Sequence, residues 1–492
     1  MTNETSPCHI ISSRYTLIKN ILLYYNFIQQ IKYDRGKKMK FIDSIKSKID
    51  TESRREIMTL AIPAMFETLC TTLTGMIDSS MVSKLGTDAI SAISVTNQPK
   101  LFLFCFFLAI NTVISSTVAN CKGRGDRKEA NSFFLTSLSF IVIGSIVIGL
   151  LAIVAARPIL MLCSGQENTM DMSVTYFRII MGGMIFNHLF LAINAELRGC
   201  GFTRSSLYTN LISCTVNILF NYLLIEGHLG FPALGIAGAA IATVLGTVAA
   251  LVLSLYFLTR PDAFINLNYC RNNLKLSDKK EVKGYLSMWG HVMIENVFSR
   301  LGFLISSALT ARIGSFAMSI YAVGMHLMDL NYAIANGFQV AAVSKTGHLN
   351  GSGERDKINS YAVRILFFGL IFALALSALI IAFAEPYYSI FSSDEQFIQS
   401  GVTVCMIIAV ISPIQIVKII HTGLLQGLGK MRETKIAAIL SVTIAQPICL
   451  FILVNIAHMG LMGVWCSTLF SQLIWLITTR IFYVKVKRNG FK

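Results

Sequence analysis

The chain repeats its own pattern of residues at an offset of 228 positions. Glu67 returns as Glu295, and both lie inside long apolar segments. Five glycines of the first half meet a glycine of the second half at that offset, namely Gly86/Gly314, Gly123/Gly351, Gly125/Gly353, Gly199/Gly427 and Gly201/Gly429. Glycines mark the positions at which a backbone turns sharply or is closely approached, so they follow the fold. The sequence therefore predicts two halves built on one plan.

Apolar runs of about 20 residues recur along the chain, and each is long enough to cross a hydrocarbon core of about 30 Å. The composition agrees, with 54% hydrophobic and only 14% charged residues. We predict an all-α integral membrane protein with twelve spans, at 57–82, 92–117, 131–155, 174–197, 205–226, 234–258, 285–310, 316–342, 361–384, 400–425, 434–457 and 460–483.

Each half holds six predicted spans, and because six is even, both halves enter the membrane from the same side. The two lobes are then parallel repeats, an arrangement typical of transporters with a central site. We divide the chain into an N-lobe at 57–259, a linker at 260–283, a C-lobe at 284–483 and a basic tail at 484–492, preceded by a tail at 1–56.

Lysine and arginine in the loops predict the orientation. From Met39 onward one side of the predicted bundle carries roughly 28 of them, and the other carries about three, Lys84, Arg157 and Arg312. The basic side is expected to be cytoplasmic, with both termini inside a bacterial inner membrane. The net charge of +16 reflects this asymmetry and attraction to anionic lipid, and we expect no nucleic-acid partner.

Residues 1–38 contain neither a predicted span nor a signal-peptide cleavage site. Arg35-Gly36 can be encoded by a purine-rich ribosome-binding sequence placed just before Met39. We therefore expect translation to start at Met39, and a basic N-terminal tail is the alternative.

Composition and motifs exclude several kinds of site. The eleven cysteines form no CxxC pair, so we interpret them as apolar packing residues and predict no metal centre of the usual kind. No GxxxxGK[ST] motif appears, so ATP-driven transport has no support. An ion gradient is then the simplest energy source, and no organic cofactor is expected.

Ionisable groups inside the predicted spans are the best candidates for function, because each costs roughly 2.5–3.5 kcal/mol to insert. Glu67 and Glu295 lie at equivalent depths in spans one and seven and can face each other across a cleft. Asp78 follows Glu67 by 11 residues, which places both acids on one helix face, about 16 Å apart. A buried carboxylate can exchange protons, bind Na⁺ or attract a cationic substrate. The structural alternative is neutralisation, for Glu295 by Arg300 or Lys418.

Polar side chains complete the candidate set. Asn210, Asn217 and Asn221 share one face of span five, because their spacings are seven and four. Amides can ligate an ion such as Na⁺ or hold a neighbouring carboxylate, so Asn217 and Asn221 are candidates for an ion site. Glu295, Glu67, Gln98 and His326 are assigned to substrate or ion binding. Interhelical hydrogen bonds are the alternative role for such groups.

Four segments together resemble the multidrug and toxic compound extrusion (MATE) family. They read GMIDSSMVSKLG at 75–86, LRGCGFTR at 197–204, NILFNYLLI at 217–225 and GFPALGIAGAAIAT at 230–243. The resemblance extends from 57 to about 485. It implies a V-shaped bundle of two six-helix lobes that exports drugs by alternating access, in exchange for H⁺ or Na⁺.

The resemblance also assigns roles to individual residues. Asp78 stands at the family's ion-coupling aspartate, accompanied by Asn217 and Asn221. Glu295 matches the glutamate of a C-lobe cation site, but Lys418 stands where sodium-coupled members place a second acid. A fixed positive charge opposes Na⁺ binding, so the resemblance favours the N-lobe cluster as the ion-coupling site.

The leading prediction is a monomeric secondary transporter of small organic cations and drugs in contact with membrane lipid, and not an enzyme. One alternative is a flippase for lipid-linked oligosaccharides or lipids from the same superfamily, which usually has a more cationic cleft. A membrane enzyme or receptor is a second alternative. No catalytic constellation stands out, and a receptor has no need of an internal repeat.

Overall fold

The structure is a computed structural model and describes residues 51–163, 167–266 and 277–491. Within those ranges all regular secondary structure is helical. The helices are α1 (Thr51–Ser83), α2 (Thr87–Arg124), α3 (Arg127–Val154), α4 (Ala156–Leu162), α5 (Glu167–Gly182), α6 (Met184–Gly199), α7 (Thr203–Ile225), α8 (Gly235–Thr259), α9 (Lys279–Ala311), α10 (Ser315–Gly351), α11 (Arg355–Ala382), α12 (Ala384–Ser389), α13 (Glu395–Gly427), α14 (Met431–Ala438), α15 (Gln446–Phe451) and α16 (Gly460–Arg488). The predicted start at Met39 and part of the predicted linker lie outside the described residues.

Every predicted span falls on a helix, as expected for a chain whose backbone must satisfy its own hydrogen bonds in lipid. Ten helical stretches in the described ranges are long and apolar enough to cross a membrane, among them Met431–Ile456, in which π-helical turns extend α14 and α15. The fourth span is a pair, α5 and α6, bent by 47°. The remaining span is α10, whose 37 residues are long enough but more polar, with Asp329, Asn331 and Asn336 in its middle.

Several helices extend beyond the predicted spans. α2 contains 38 residues and is therefore about 57 Å long. Its final turn carries Lys122 and Arg124, which lie beyond the apolar residues of the predicted span 92–117. The same extension occurs in α10 and places the ends of both helices on the side of the bundle that bears most lysines and arginines. This side is called the basic face below.

The repeat is visible in the backbone at four glycines that lie just after helices α2, α6, α10 and α13. Gly125 and Gly353 have φ values of 73° and 78°, and Gly201 and Gly429 have values of 82° and 73°. All four are in the left-handed region that glycine adopts without a steric penalty. Residues 228 positions apart therefore end matching helices with the same turn.

Each lobe has its own hydrophobic core, but α9 crosses between them. The N-lobe core contains Phe133 and also Tyr285 and Trp289 from the start of α9. The rings of Phe133 and Tyr285 are 4.3 Å apart, and those of Phe140 and Trp289 are 5.0 Å apart. By sequence, Tyr285 and Trp289 thus belong to the predicted C-lobe, but they pack on the N-lobe in space.

The lobes meet at the basic face along a contact that we call the seam. Ser116 Oγ of α2 donates to the carbonyl of Gln426 at 2.5 Å, and Ser344 Oγ of α10 donates to the carbonyl of Gly199 at 3.1 Å. Ser116 and Ser344 are 228 positions apart and their carbonyl acceptors are 227 apart, so exchange of the lobes relates the donors directly and the acceptors to within one residue. Deeper in the bundle, Asn336 Nδ2 of α10 donates to Thr68 Oγ1 of α1 at 2.8 Å.

Candidate functional site

Helices α1 and α7 run parallel and are joined by two polar contacts at matching depths. Asn210 Nδ2 donates to Glu67 Oε1 at 2.9 Å, and Asn221 Nδ2 donates to Asp78 Oδ1 at 2.6 Å. The partners in each contact are 143 positions apart, so the helices keep one register over 11 residues, or about 16 Å. The structure therefore brings both acids of α1 onto the face that meets the asparagine stripe of α7.

Asp78 is half-buried and sits against two buried amides. Besides Asn221, Asn217 donates to Asp78 Oδ1 at 2.8 Å, in the amide orientation that satisfies both of its ends. In that orientation the amide oxygen of Asn217 accepts from Thr243 Oγ1 of α8 at 3.3 Å. These residues form what we call the outer cluster: Asp78, Asn217, Asn221 and Thr243.

The chemistry of the outer cluster depends on what surrounds the carboxylate. In the part of the chain that the structure describes, no lysine or arginine nitrogen lies within 4.0 Å of Asp78, and no side chain donates to its Oδ2. Lys100 of α2 interacts with Asp78 electrostatically without a direct ion pair. Oδ2 is thus available to a proton or a cation. Coordination of Na⁺ would require at least one amide to turn its oxygen inward, since sodium takes oxygen ligands.

Glu67 has a different environment, because an arginine compensates its charge. Arg198 NH1 of α6 donates to Oε1 at 2.6 Å, and Ser206 Oγ of α7 donates to Oε2 at 2.8 Å. With Asn210, these bonds engage both carboxylate oxygens. The expectation that Glu67 faces Glu295 across a cleft is wrong, because Glu67 turns towards α6 and α7 of its own lobe.

Glu295 likewise turns into its own lobe, where it is buried and accepts a hydrogen bond from Thr434 Oγ1 of α14 at 2.7 Å. The residue equivalent to Arg198 is Gln426, so the C-lobe lacks that ion pair. Lys418 is buried in α13 and interacts electrostatically with Glu295. Its Nζ also lies 4.0 Å from the centroid of the Trp475 ring, a geometry typical of a cation–π contact.

The remaining predicted candidates lie elsewhere. Gln98 is exposed on α2, two positions before Lys100. His326 is exposed on α10 and interacts electrostatically with Asp329, which also interacts with Arg300 of α9. Arg300, which was expected to neutralise Glu295, thus interacts electrostatically with Asp329.

Sequence reasoning missed two charged groups near these candidates. Lys100 follows Pro99 inside the second predicted span, and Asp329 lies three residues after His326 on the same face of a helix. Both carry the signal used for Asp78, an ionisable side chain inside a predicted span. Lys100 lies within a span, so it does not contribute to the charge asymmetry of the loops.

Both halves of the chain match one protein family. A family model described as MatE matches residues 63–223 and again residues 292–452. The chain belongs to the MatE family. The two matches have equal length and cover most of the two lobes, so they confirm the internal repeat. Since members of this family are membrane transporters, the alternatives of an enzyme or a receptor are excluded.

Curated relatives match most of the chain at low identity. The probable multidrug resistance protein NorM of Thermotoga maritima is 25% identical over 435 residues, which cover 88% of this chain and 92% of the relative. The multidrug export protein MepA of Staphylococcus aureus is 23% identical and covers 85% of this chain and 90% of MepA. A FAD transporter of Shewanella oneidensis is 24% identical and covers 70% and 76%.

Solved structures share the fold. A crystal structure of MATE in the bent conformation superposes with a TM-score of 0.81 at 19% identity, over 89% of this chain and 97% of that chain. A transporter from Pyrococcus furiosus, described as having a binding pocket of reversed polarity, gives the same score. The predicted all-helical architecture of two lobes is thereby confirmed, and the protein is a multi-pass membrane transporter.

Proposed function

We propose that this protein exports cationic, amphipathic drugs in exchange for H⁺ or Na⁺, with the outer cluster as the ion-coupling site. The observation that carries the proposal is the contrast between two acids on one face of α1. Arg198 neutralises Glu67, whereas Asp78 is held by amides and keeps one oxygen available. An acid that must bind and release an ion in every cycle needs an environment like that of Asp78, in which one carboxylate oxygen is available.

Relatives support the substrate class. Two of them are named as multidrug resistance or export proteins, at 25% and 23% identity across most of the chain. The basic face is proposed to be cytoplasmic, which places both termini inside and the seam on the inner side of the membrane. The lobes then present the outer cluster towards the outside while the seam is closed.

The proposed cycle follows from these positions. A proton or Na⁺ binds Asp78 from outside and removes its negative charge, which weakens the hold of the two amide donors on α1. The lobes rearrange, the drug leaves outward, and the seam opens. Release of the ion to the cytoplasm restores the anionic carboxylate, which attracts the next cationic drug.

Ethidium efflux from proteoliposomes tests the proposal, with a Na⁺ gradient and a proton gradient imposed separately. Efflux driven by either gradient supports it and identifies the coupling ion. Absence of efflux under both gradients, with correctly inserted protein, contradicts it.

A second candidate is export of an anionic, phosphate-bearing substrate, the class to which the flippase alternative belongs. Lys100 and Arg300 place positive charge near Asp78 and Asp329, so the charged groups inside the bundle are mixed in sign. One relative is named as a FAD transporter. Transport of FAD without transport of ethidium in the same proteoliposomes favours this candidate.

A further inference from the structure

A cavity of about 470 Å³ lies in the seam, away from the outer cluster and from both glutamates. Its walls come from both lobes. α2 contributes Ser116, Asn120 and Arg124, and the C-lobe contributes Asn350 and Arg355, at the end of α10 and the start of α11. A volume in this range suits a small ligand with several polar contacts.

The charge of the lining is positive. Arg124 and Arg355 both line the cavity, and no carboxylate does so within the described part of the chain. Glu129 forms an ion pair with Arg124 at 2.8 Å, but Glu129 is not part of the lining. Guanidinium groups bind phosphate in a planar, two-point geometry, so two of them facing one space favour a phosphate-class anion.

The polar groups of this cavity are incompletely satisfied. Arg355 Nε is buried and has no hydrogen-bond partner among the described residues, and the same holds for Asn350 Oδ1. Asn350 Nδ2 is engaged, since it donates to Asn120 Oδ1 across the seam at 2.8 Å. A buried donor without a partner is destabilising, and an anion that accepts a hydrogen bond from Arg355 removes that cost.

α2 and α10 approach each other closely beside the cavity, so its shape depends on the closed seam. A Cβ placed on Gly351 would lie 2.0 Å from the carbonyl oxygen of Asn120. Separation of the lobes at this point would draw Arg124 away from Arg355. A ligand that contacts both lobes therefore stabilises the closed seam by its differential affinity.

We propose that the seam cavity binds a phosphate-class anion, held by Arg355 and Arg124, which stabilises the state with a closed seam. The anion comes either from solution, as inorganic phosphate or a phosphorylated metabolite, or from the headgroup of an anionic lipid at the same face. This inference does not depend on which substrate the protein exports.

Thermal unfolding of the full-length protein, followed by tryptophan fluorescence, tests the proposal in two arms. The first arm compares sodium phosphate with sodium chloride at equal ionic strength and pH, in phosphatidylcholine nanodiscs. The second arm omits phosphate and compares these nanodiscs with nanodiscs containing phosphatidylglycerol. A raised midpoint in the first arm identifies a soluble anion, and a raised midpoint in the second identifies a lipid headgroup.

Three variants make the test specific. Arg355→Gln should abolish the shift, and Arg124→Gln, at a more exposed position, should reduce it by at least half. Arg432→Gln removes an exposed arginine from outside the cavity and should keep the full shift. No wild-type shift in either arm overturns the proposal, as does an equal shift in Arg355→Gln and Arg432→Gln. If Arg355→Gln does not fold, an undiminished shift in Arg124→Gln overturns it.

Discussion

Ser206 and Thr434 are 228 positions apart, and each donates a hydroxyl hydrogen bond to the glutamate of its own lobe, at 2.8 Å and 2.7 Å. The internal repeat is thus conserved in the hydrogen bonds of the bundle as well as in its turns. The symmetry ends at the next partner, because Arg198 completes the N-lobe site while the equivalent C-lobe residue is Gln426. Glu67 therefore forms an ion pair, whereas Glu295 accepts a hydrogen bond from a hydroxyl and has Lys418 nearby.

The first prediction concerns Asp78. Asp78→Asn should abolish gradient-driven ethidium efflux, because an amide neither binds a proton nor attracts a cation as a carboxylate does. Asp88→Asn is the matched control, since it makes the same change at an exposed position in the first turn of α2. Efflux is measured in proteoliposomes with equal amounts of monodisperse protein. Full activity of Asp78→Asn would remove this residue from the mechanism.

The second prediction concerns the ion pair of Glu67. Arg198→Gln leaves a buried carboxylate without its cation and should destabilise the protein by about 3–5 kcal/mol. Adding Glu67→Gln should recover a large part of that loss, because the double variant buries no charge at this site. Reversible unfolding in mixed micelles measures both effects. If the double variant is no more stable than Arg198→Gln, Glu67 and Arg198 are not energetically coupled.

The third prediction compares the two repeated hydroxyls. Thr434→Val keeps the shape of the side chain but removes the hydroxyl donor to Glu295, at a cost of about 1–3 kcal/mol. Ser206→Ala should cost less, about 0.5–1.5 kcal/mol, because Glu67 retains Arg198 and Asn210. The same unfolding assay ranks the variants. The reverse order would mean that Lys418 alone satisfies Glu295.

The fourth prediction concerns the closeness of the seam. Gly351→Ala should force α2 and α10 apart, because the added Cβ would lie 2.0 Å from the carbonyl oxygen of Asn120. Hydrogen–deuterium exchange should then increase in the last turns of α2. Gly290→Ala adds the same atom in α9, where nothing lies within 4 Å, and should leave exchange unchanged. Equal exchange in both variants would contradict a tightly closed seam.

Much of the architecture could be predicted because few backbone structures can cross the hydrocarbon core of a membrane. Apolar length and the 228-residue repeat predicted the spans and the lobes, and the intramembrane position of Asp78 singled it out. Helical spacing placed the asparagines on one face of α7, and the family resemblance associated Asn217 and Asn221 with Asp78. These features depend on distances along one helix, which a sequence states directly.

Contacts between helices could not be predicted in the same way. The pairing of Glu67 with Arg198 joins residues 131 positions apart and depends on the rotation of α1 about its axis. Spacing within a helix defines a face but does not say which neighbour covers it. For the same reason the sequence did not indicate that Glu295 turns away from the cleft, or that Arg300 acts on Asp329.

The matched register of α1 and α7 has a mechanical consequence. Arg198, which holds Glu67, directly precedes Gly199, whose carbonyl accepts the hydrogen bond of Ser344 across the seam. Because α1 is a continuous helix between Asp78 and Glu67, an axial slip that breaks one contact with α7 strains the other. A change in the charge state of Asp78 can therefore be transmitted along about 16 Å of helix α1 to Glu67, and through Arg198 to the hydrogen bond that Gly199 accepts at the seam.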